Sequence, residues 1–300
     1  MAIKFGISPI SWSNDDLPEM GGETSLETCL RESRLAGYSG TETGGKFPMD
    51  AAVLGPRLAA HELQLVSGWF SGGLVANDLE TEKRRVAEQL RTYLELGAPL
   101  MVFGETTGTV QNQQLIPVSQ RPTLSEDGIK QYGEKLTAFA EFMSSEGMPI
   151  AFHHHMGTVI ETEHEVDLLM AHTGSDVGLL LDTGHLTFAG GDSVSLLKKH
   201  GDRVSHVHMK DVRADIMAQA RINNMSFLDA VLAGVFTVPG DGMIDYQAVA
   251  DELARQQYSG WVIVEAEQDP VKAPPLEYAR MGLEHLRSVF TMARFDIEGQ

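Results

Sequence analysis

Four apolar runs in this chain end on side chains that bind metal ions. They read Pro149-Ile-Ala-Phe-His153-His-His155, Val177-Gly-Leu-Leu-Leu-Asp182-Thr-Gly-His185, Val204-Ser-His206-Val-His208-Met-Lys-Asp211 and Trp261-Val-Ile-Val-Glu265-Ala-Glu267. A short apolar run that stops on a His, Asp or Glu has the form of a buried strand delivering a ligand from its C-terminal end. Each alone is weak: a strand histidine is commonly a satisfied core group, and Asp182 could simply cap a helix. Four in succession argue for convergence on one cation. Side chains alternate along a strand, so His153 pairs with His155, His206 with His208, and Glu265 with Glu267, one of each pair facing the metal and the other the substrate. The expected ligand set is His153, Asp182, His208 and Glu265. Two imidazoles and two carboxylates suit Mn²⁺, Co²⁺ or Fe²⁺ with open positions, with Zn²⁺ as a further candidate. The absence of thiolates argues against a structural zinc. An open position lets a cation polarise a carbonyl oxygen.

The elements that must position these groups recur regularly. Eight strand-like runs, 4–12, 38–43, 63–69, 99–104, 149–155, 177–182, 204–210 and 260–265, are short, aliphatic and bounded by Gly or Pro. Helical periodicity fills several intervals, with Gly37, Gly97 and Gly147 where helices should stop. Eight alternations predict an α/β fold of the (β/α)8 TIM-barrel type in one domain spanning residues 1–300. The first strand runs into Ser-Pro-Ile-Ser-Trp rather than a glycine-rich phosphate loop, which disfavours a doubly wound nucleotide fold. Two connections, 105–127 and 211–242, exceed the usual length. Both follow strands and are expected over the catalytic face as lids, or else as insertions for self-association.

Composition narrows the partners. The chain has 300 residues, 42% of them hydrophobic, enough for a large core. With 42 acidic against 23 basic residues the net charge is −19, which repels phosphate backbones and anionic lipid. Neither nucleic acid nor a membrane is expected as partner, and a homo-oligomer is compatible with the sequence. The single cysteine, Cys29, allows no internal disulfide and fits a reducing cytoplasmic location. No apolar run approaches the roughly 20 residues of a membrane helix.

The strand-end pattern resembles the xylose isomerase-like TIM-barrel superfamily. Several segments resemble more closely the inosose dehydratases within it: Gly6-Ile-Ser-Pro-Ile-Ser-Trp-Ser-Asn-Asp-Asp16, Gly40-Thr-Glu-Thr-Gly-Gly-Lys-Phe-Pro48, His153-His-His-Met-Gly-Thr158, Asp182-Thr-Gly-His185, His208-Met-Lys-Asp-Val-Arg213, Gly234-Val-Phe-Thr-Val-Pro-Gly-Asp-Gly242 and Glu265-Ala-Glu-Gln-Asp-Pro270. The resemblance implies a metal-dependent lyase that removes water from a cyclic polyhydroxy ketone, 2-keto-myo-inositol, during inositol catabolism, stimulated by Mn²⁺ or Co²⁺ and requiring glutathione. Nothing in the sequence reads as a glutathione site. The superfamily's isomerases and epimerases usually carry Glu on the fifth strand, where this chain has His153. Two-base epimerisation is thereby disfavoured and elimination retained, with an isomerase or epimerase as the alternative. The candidate bases are Glu267, His155 and Lys210, and His185 is expected to protonate the leaving hydroxyl. Trp12 is expected to offer an apolar face to the ring, and Glu42, Lys46 and Asp211 hydrogen bonds to its hydroxyls.

Overall fold

The computed structural model describes residues 1–299. Eight parallel strands form the barrel: β1 (Ala2–Ile7), β2 (Gly40–Thr43), β3 (Gln64–Gly72), β4 (Met101–Glu105), β5 (Ile150–His153), β6 (Val177–Asp182), β7 (Val204–Met209) and β8 (Gly260–Val264). Each pairs with its neighbours in sequence, and β8 pairs with β1 to close the ring. A short strand, Asp296–Ile297, lies alongside β1. The expected (β/α)8 fold is the observed one.

Helices form where local chemistry caps them. Ser25 accepts the Thr28 amide ahead of Leu26–Ala36, which Gly37 ends in the left-handed region at φ 106°. Asp78 caps Leu79–Leu96, and Ser125 caps Glu126–Ser145. In both helices the cap, rather than the first residue of the apolar stripe, decides the start. Thr162 and Glu165 form a reciprocal capping box on Glu163–Ala171.

Two strands end earlier than periodicity suggests. β1 stops at Ile7, and Pro9 opens a 3-10 turn, Pro9–Ser11; proline fixes φ and offers no amide for the ladder. β5 stops at His153, and residues 154–160 turn back on themselves, the His155 amide donating to Ile160 O and Gly157 holding φ 83°. His155 is therefore presented by a loop.

The main core fills the layer between strands and outer helices. Smaller clusters include Val66 with Trp261 and Ile263, and Leu100 with Val102, Ala151 and Leu180. Gly6 and Gly40 make room for the first of these: a Cβ on Gly40 would lie 2.5 Å from Val66 Cγ2 and 2.7 Å from the Trp261 ring.

The two long connections differ. The 211–242 segment folds into helices Ala214–Ile222 and Phe227–Ala233 and a ribbon pairing Asp211–Val212 with Phe236–Thr237. It has its own apolar cluster around Phe227, Val231 and Phe236. The 105–127 segment contains one 3-10 turn, Val118–Gln120, and touches the other through the Pro117–Ser226 bridge.

Candidate metal centre and active site

A cavity of about 420 Å³ opens at the C-terminal ends of the strands, the face where barrel enzymes place their chemistry. Its floor carries His153, His208 and Glu265, beside buried Asp182. One donor atom from each of these four lies within 4.8 Å of every other. His153 Nε2 is 3.5 Å and His208 Nδ1 3.7 Å from Asp182 Oδ2, and His208 Nδ1 is 3.0 Å from Glu265 Oε2.

Hydrogen bonds around the four select which lone pairs are free. His153 Nδ1 donates to the His154 carbonyl at 2.6 Å, leaving Nε2 for a cation. His208 Nε2 donates to Glu42 Oε1 at 3.0 Å, leaving Nδ1. Asp182 does cap the helix Thr183–Phe188, through Oδ1, which accepts the His185 amide at 2.8 Å. Its Oδ2 is buried with no hydrogen-bond partner, as is His208 Nδ1. A buried carboxylate oxygen without a partner is costly. Two such orphans facing one point fit a divalent cation.

Lys210 lies behind this floor, fully buried. Its Nζ contacts Glu265, lies 3.7 Å from Asp182 Oδ2 and 3.6 Å from Glu267 Oε2, and donates to His185 Nε2 at 2.9 Å. Burial opposes its charge, but the three carboxylates outweigh burial and raise its pKa. Burial likewise opposes ionisation of Asp182, yet Lys210 holds that carboxyl well below its usual range. Glu265 is brought to about 2 by Lys210 and His208 against burial. Burial wins at Glu267, pushing it up to about 8 despite Lys210. His155 and His185 are held well below the usual histidine range by burial, reinforced by neighbouring imidazoles and Lys210. Burial opposes the charge on His208, but Glu42 and Glu265 overcome it and raise its pKa.

Two other groupings have the right residue types for a cation. His155, His185 and Glu267 lie close enough, but the Lys210 ammonium already stands against His185 there. Glu42, His206 and His208 also cluster, but there both Nε2 atoms already hydrogen-bond to Glu42 Oε1.

Of the expected catalytic residues, Glu267 and His155 line the cavity. His185 and Lys210 do not: they sit behind its wall, with His185 packed against Phe227 and Phe236. Among the expected substrate contacts, only Glu42 reaches the cavity. Trp12 is buried away from it, its Nε1 donating to Glu32 at 2.8 Å. Lys46 donates to the carbonyls of Gly21, Gly22 and Thr24 and pins that loop. Asp211 accepts the amides of Val212, Gly240, Gly242 and Ile244, so it folds the segment that follows the ribbon. A Cβ on Gly242 would lie 2.3 Å from Asp211 Oδ1, and Gly240 holds φ 91°, which explains the two glycines of the Val-Pro-Gly-Asp-Gly stretch structurally. The 105–127 connection reaches the cavity through Thr106, Thr109, Gln111 and Asn112; no residue of 211–242 lines it.

Sequence reasoning missed Trp69, Ser71, Asp15 and Asp16 on the same wall. The Trp69 ring stands edge-on to His153 and His155 at 5.4 and 5.6 Å. Gly104 admits it, since a Cβ there would lie 1.9 Å from Trp69 Cη2. Gln111 Nε2 donates to Asp16 Oδ2 at 3.0 Å across the mouth. The one available signal for Trp69 was its place at the end of a predicted strand.

Strands, cavity and ligand set together define a TIM barrel with a metal-type centre at its strand ends. The family model described as "Xylose isomerase-like TIM barrel" matches residues 30–289. Rhizopine catabolism protein MocC of Rhizobium meliloti is 48% identical, over 98% of this chain and 91% of its own length. Inosose dehydratase of Geobacillus thermodenitrificans is 43% identical, over 95% and 96%. Among solved structures, the IolI protein with a binding zinc atom superimposes with a TM-score of 0.71 at 17% identity, covering 97% of this chain and 99% of that one; this likeness concerns the fold. The chain belongs to the inosose dehydratase family within the xylose isomerase-like TIM barrels.

Proposed function

We propose that this protein is a metal-dependent hydro-lyase that removes water from a cyclic polyhydroxy ketone, with 2-keto-myo-inositol giving a trihydroxycyclohexane-1,2-dione. The observation that carries the reading is the convergence of His153, Asp182, His208 and Glu265, with two buried orphan atoms, in a chain 43% identical to an inosose dehydratase. Those four residues hold the cation, Mn²⁺ or Co²⁺ in this reading. When bound, it supplies Lewis-acid charge that stabilises negative charge developing on the ketone oxygen.

His155 is the base. It lies on the cavity wall, and its Nδ1 donates to Met156 O at 2.8 Å, leaving Nε2 to take the proton α to the ketone. Glu267 is the acid: Oε2 is buried and unpartnered, and the carboxyl retains its proton near neutrality. The resulting enolate expels the β-hydroxyl, which leaves as water with the Glu267 proton. The enol then takes a solvent proton at the β carbon and becomes the diketone. His185 and Lys210 hold Asp182, Glu265 and Glu267 in place from behind. Gln111, Asp16, Ser71 and Thr106 meet ring hydroxyls, and Trp69 meets a C–H face. Among the described residues no lysine or arginine lines the cavity, which suits an uncharged ring.

The full chain acts as one catalytic unit in the cytoplasm, with 105–127 at the mouth. Metal-free protein incubated with 2-keto-inositol should give no product, and Mn²⁺ or Co²⁺ should yield a species lighter by one water, with deuterium at the new methylene in D2O. A product of unchanged mass carrying α-deuterium would instead indicate isomerase chemistry. Parallel assays with and without glutathione test the requirement that the resemblance implies.

A further inference from the structure

Glu42 was expected at the substrate, yet its bonds run elsewhere. It lies on β2, and one oxygen, Oε1, collects three donors. His206 Nε2 and His208 Nε2 each approach to 3.0 Å, and the Ser67 hydroxyl donates to the same atom. His206 and His208 are two apart on β7, so both rings project from one face of the strand; their centroids are 5.3 Å apart. Ser67 stands beside Glu42 in the β2–β3 register. The carboxylate thus spans the barrel interior from β2 and β3 to β7. Glu42, Ser67, His206 and His208 are all buried.

We infer that Glu42 is a positioning residue for the metal centre: by accepting the Nε2 hydrogen of His208 it fixes the tautomer and angle that aim Nδ1 at the cation. The inference rests on the reading of His153, Asp182, His208 and Glu265 as ligands. An imidazole can offer only the nitrogen that its other hydrogen bond leaves free. Without an acceptor at Nε2, His208 can flip or carry its proton on Nδ1, the atom now orphaned toward Asp182 Oδ2. The second imidazole explains why a carboxylate is used. His206 and Ser67 hold Oε1 from the other side, so His208 cannot turn without pulling the whole group. A neutral amide at this position keeps an acceptor but loses the charge that orients two N–H groups at once.

The test is metal affinity of folded, metal-free protein, measured with Mn²⁺ or Co²⁺ alone by calorimetry, together with the visible absorption of the Co²⁺ form. Glu42→Leu, close in size and without an acceptor, should bind about 10- to 100-fold more weakly, with an altered Co²⁺ spectrum. Glu42→Gln should bind a few-fold more weakly. Binding and spectrum unchanged in both variants overturn the inference. If Glu42→Leu does not fold, Glu42→Gln decides alone: wild-type affinity in it overturns the inference. Wild-type protein that takes up neither ion overturns the metal centre itself, and the inference with it, an outcome distinct from a Glu42 failure.

Discussion

The cavity has two walls built on different principles. One is made by the ends of β5 to β8 and the residues that follow them, and carries His153, His155, His208, Glu265 and Glu267. The other is made by the end of β3 and the segments after β1 and β4, and carries Asp15, Asp16, Ser71, Thr106, Gln111 and Asn112. The first is buried and cross-braced by Lys210 and Glu42; the second is polar, largely loop-borne and closed by a single bond from Gln111 to Asp16. Rigid strand ends suit groups whose geometry must be held closely. Loops suit groups that meet a ring and let its product go. On the proposed function, chemistry belongs to one wall and recognition to the other, and substitutions can break that division.

The largest effect belongs to the first wall. Asp182→Asn or Glu265→Gln should lower metal content and cut turnover by more than the roughly 10⁴-fold upper bound for one lost proton carrier, with the circular dichroism of the fold retained. Metal analysis and a dehydration assay on one preparation check this; full metal occupancy in either variant removes the ligand assignment. Next come the two proton carriers, each worth about 10²–10⁴ in rate. Glu267→Gln should still exchange the α-hydrogen of keto-inositol with D2O while losing water release. His155→Phe should lose both. Mass spectrometry of recovered substrate separates them, and the reverse pattern would exchange the two roles.

The second wall should respond differently. Gln111→Ala removes the bond to Asp16 and should raise KM by about tenfold, on the scale of one hydrogen bond, with metal affinity unchanged. Steady-state kinetics beside metal titration reads the contrast. A Gln111 variant that loses metal would dissolve the distinction between the walls.

The same division explains what could be read from the sequence. The barrel and the convergence of His153, Asp182, His208 and Glu265 were legible because a buried parallel strand is an apolar run, and a His or carboxylate at its end stands out. The second wall was not, because Gln111 and Asn112 look like any polar loop, and only the fold brings them opposite Glu265. Trp12 stands at the end of the first strand-like run, but Pro9 opens a 3-10 turn there and the indole donates to Glu32. Lys46 and Asp211 carry charges that sequence alone cannot tell from ligand contacts, since their partners are backbone groups that converge only on folding. Lys210, a candidate base in the sequence, instead faces the protein's own carboxylates Asp182, Glu265 and Glu267.

The last effect, on stability rather than turnover, lies at the seam between the walls. Glu161 sits in the loop that presents His155, accepts the Gly157 amide at 2.7 Å, and meets Arg121 of the 105–127 connection at 3.3 Å. Burial pushes its carboxyl up to about 7, against the pull of Gly157 and Arg121. In the unfolded chain it titrates in the ordinary carboxyl range. Between these two values the folded protein binds the extra proton more tightly. The resulting stabilisation is complete below the ordinary range and is lost as pH rises toward 7, by up to about 3 kcal/mol. Glu161→Gln stays neutral throughout, so the stability difference between variant and wild type should grow in the variant's favour from pH 4.5 to pH 7 and then level off. Urea unfolding of the two proteins across that range measures it. Parallel curves would mean that Arg121 keeps Glu161 ionised, and that an ion pair rather than a shared proton joins the base's loop to the recognition wall.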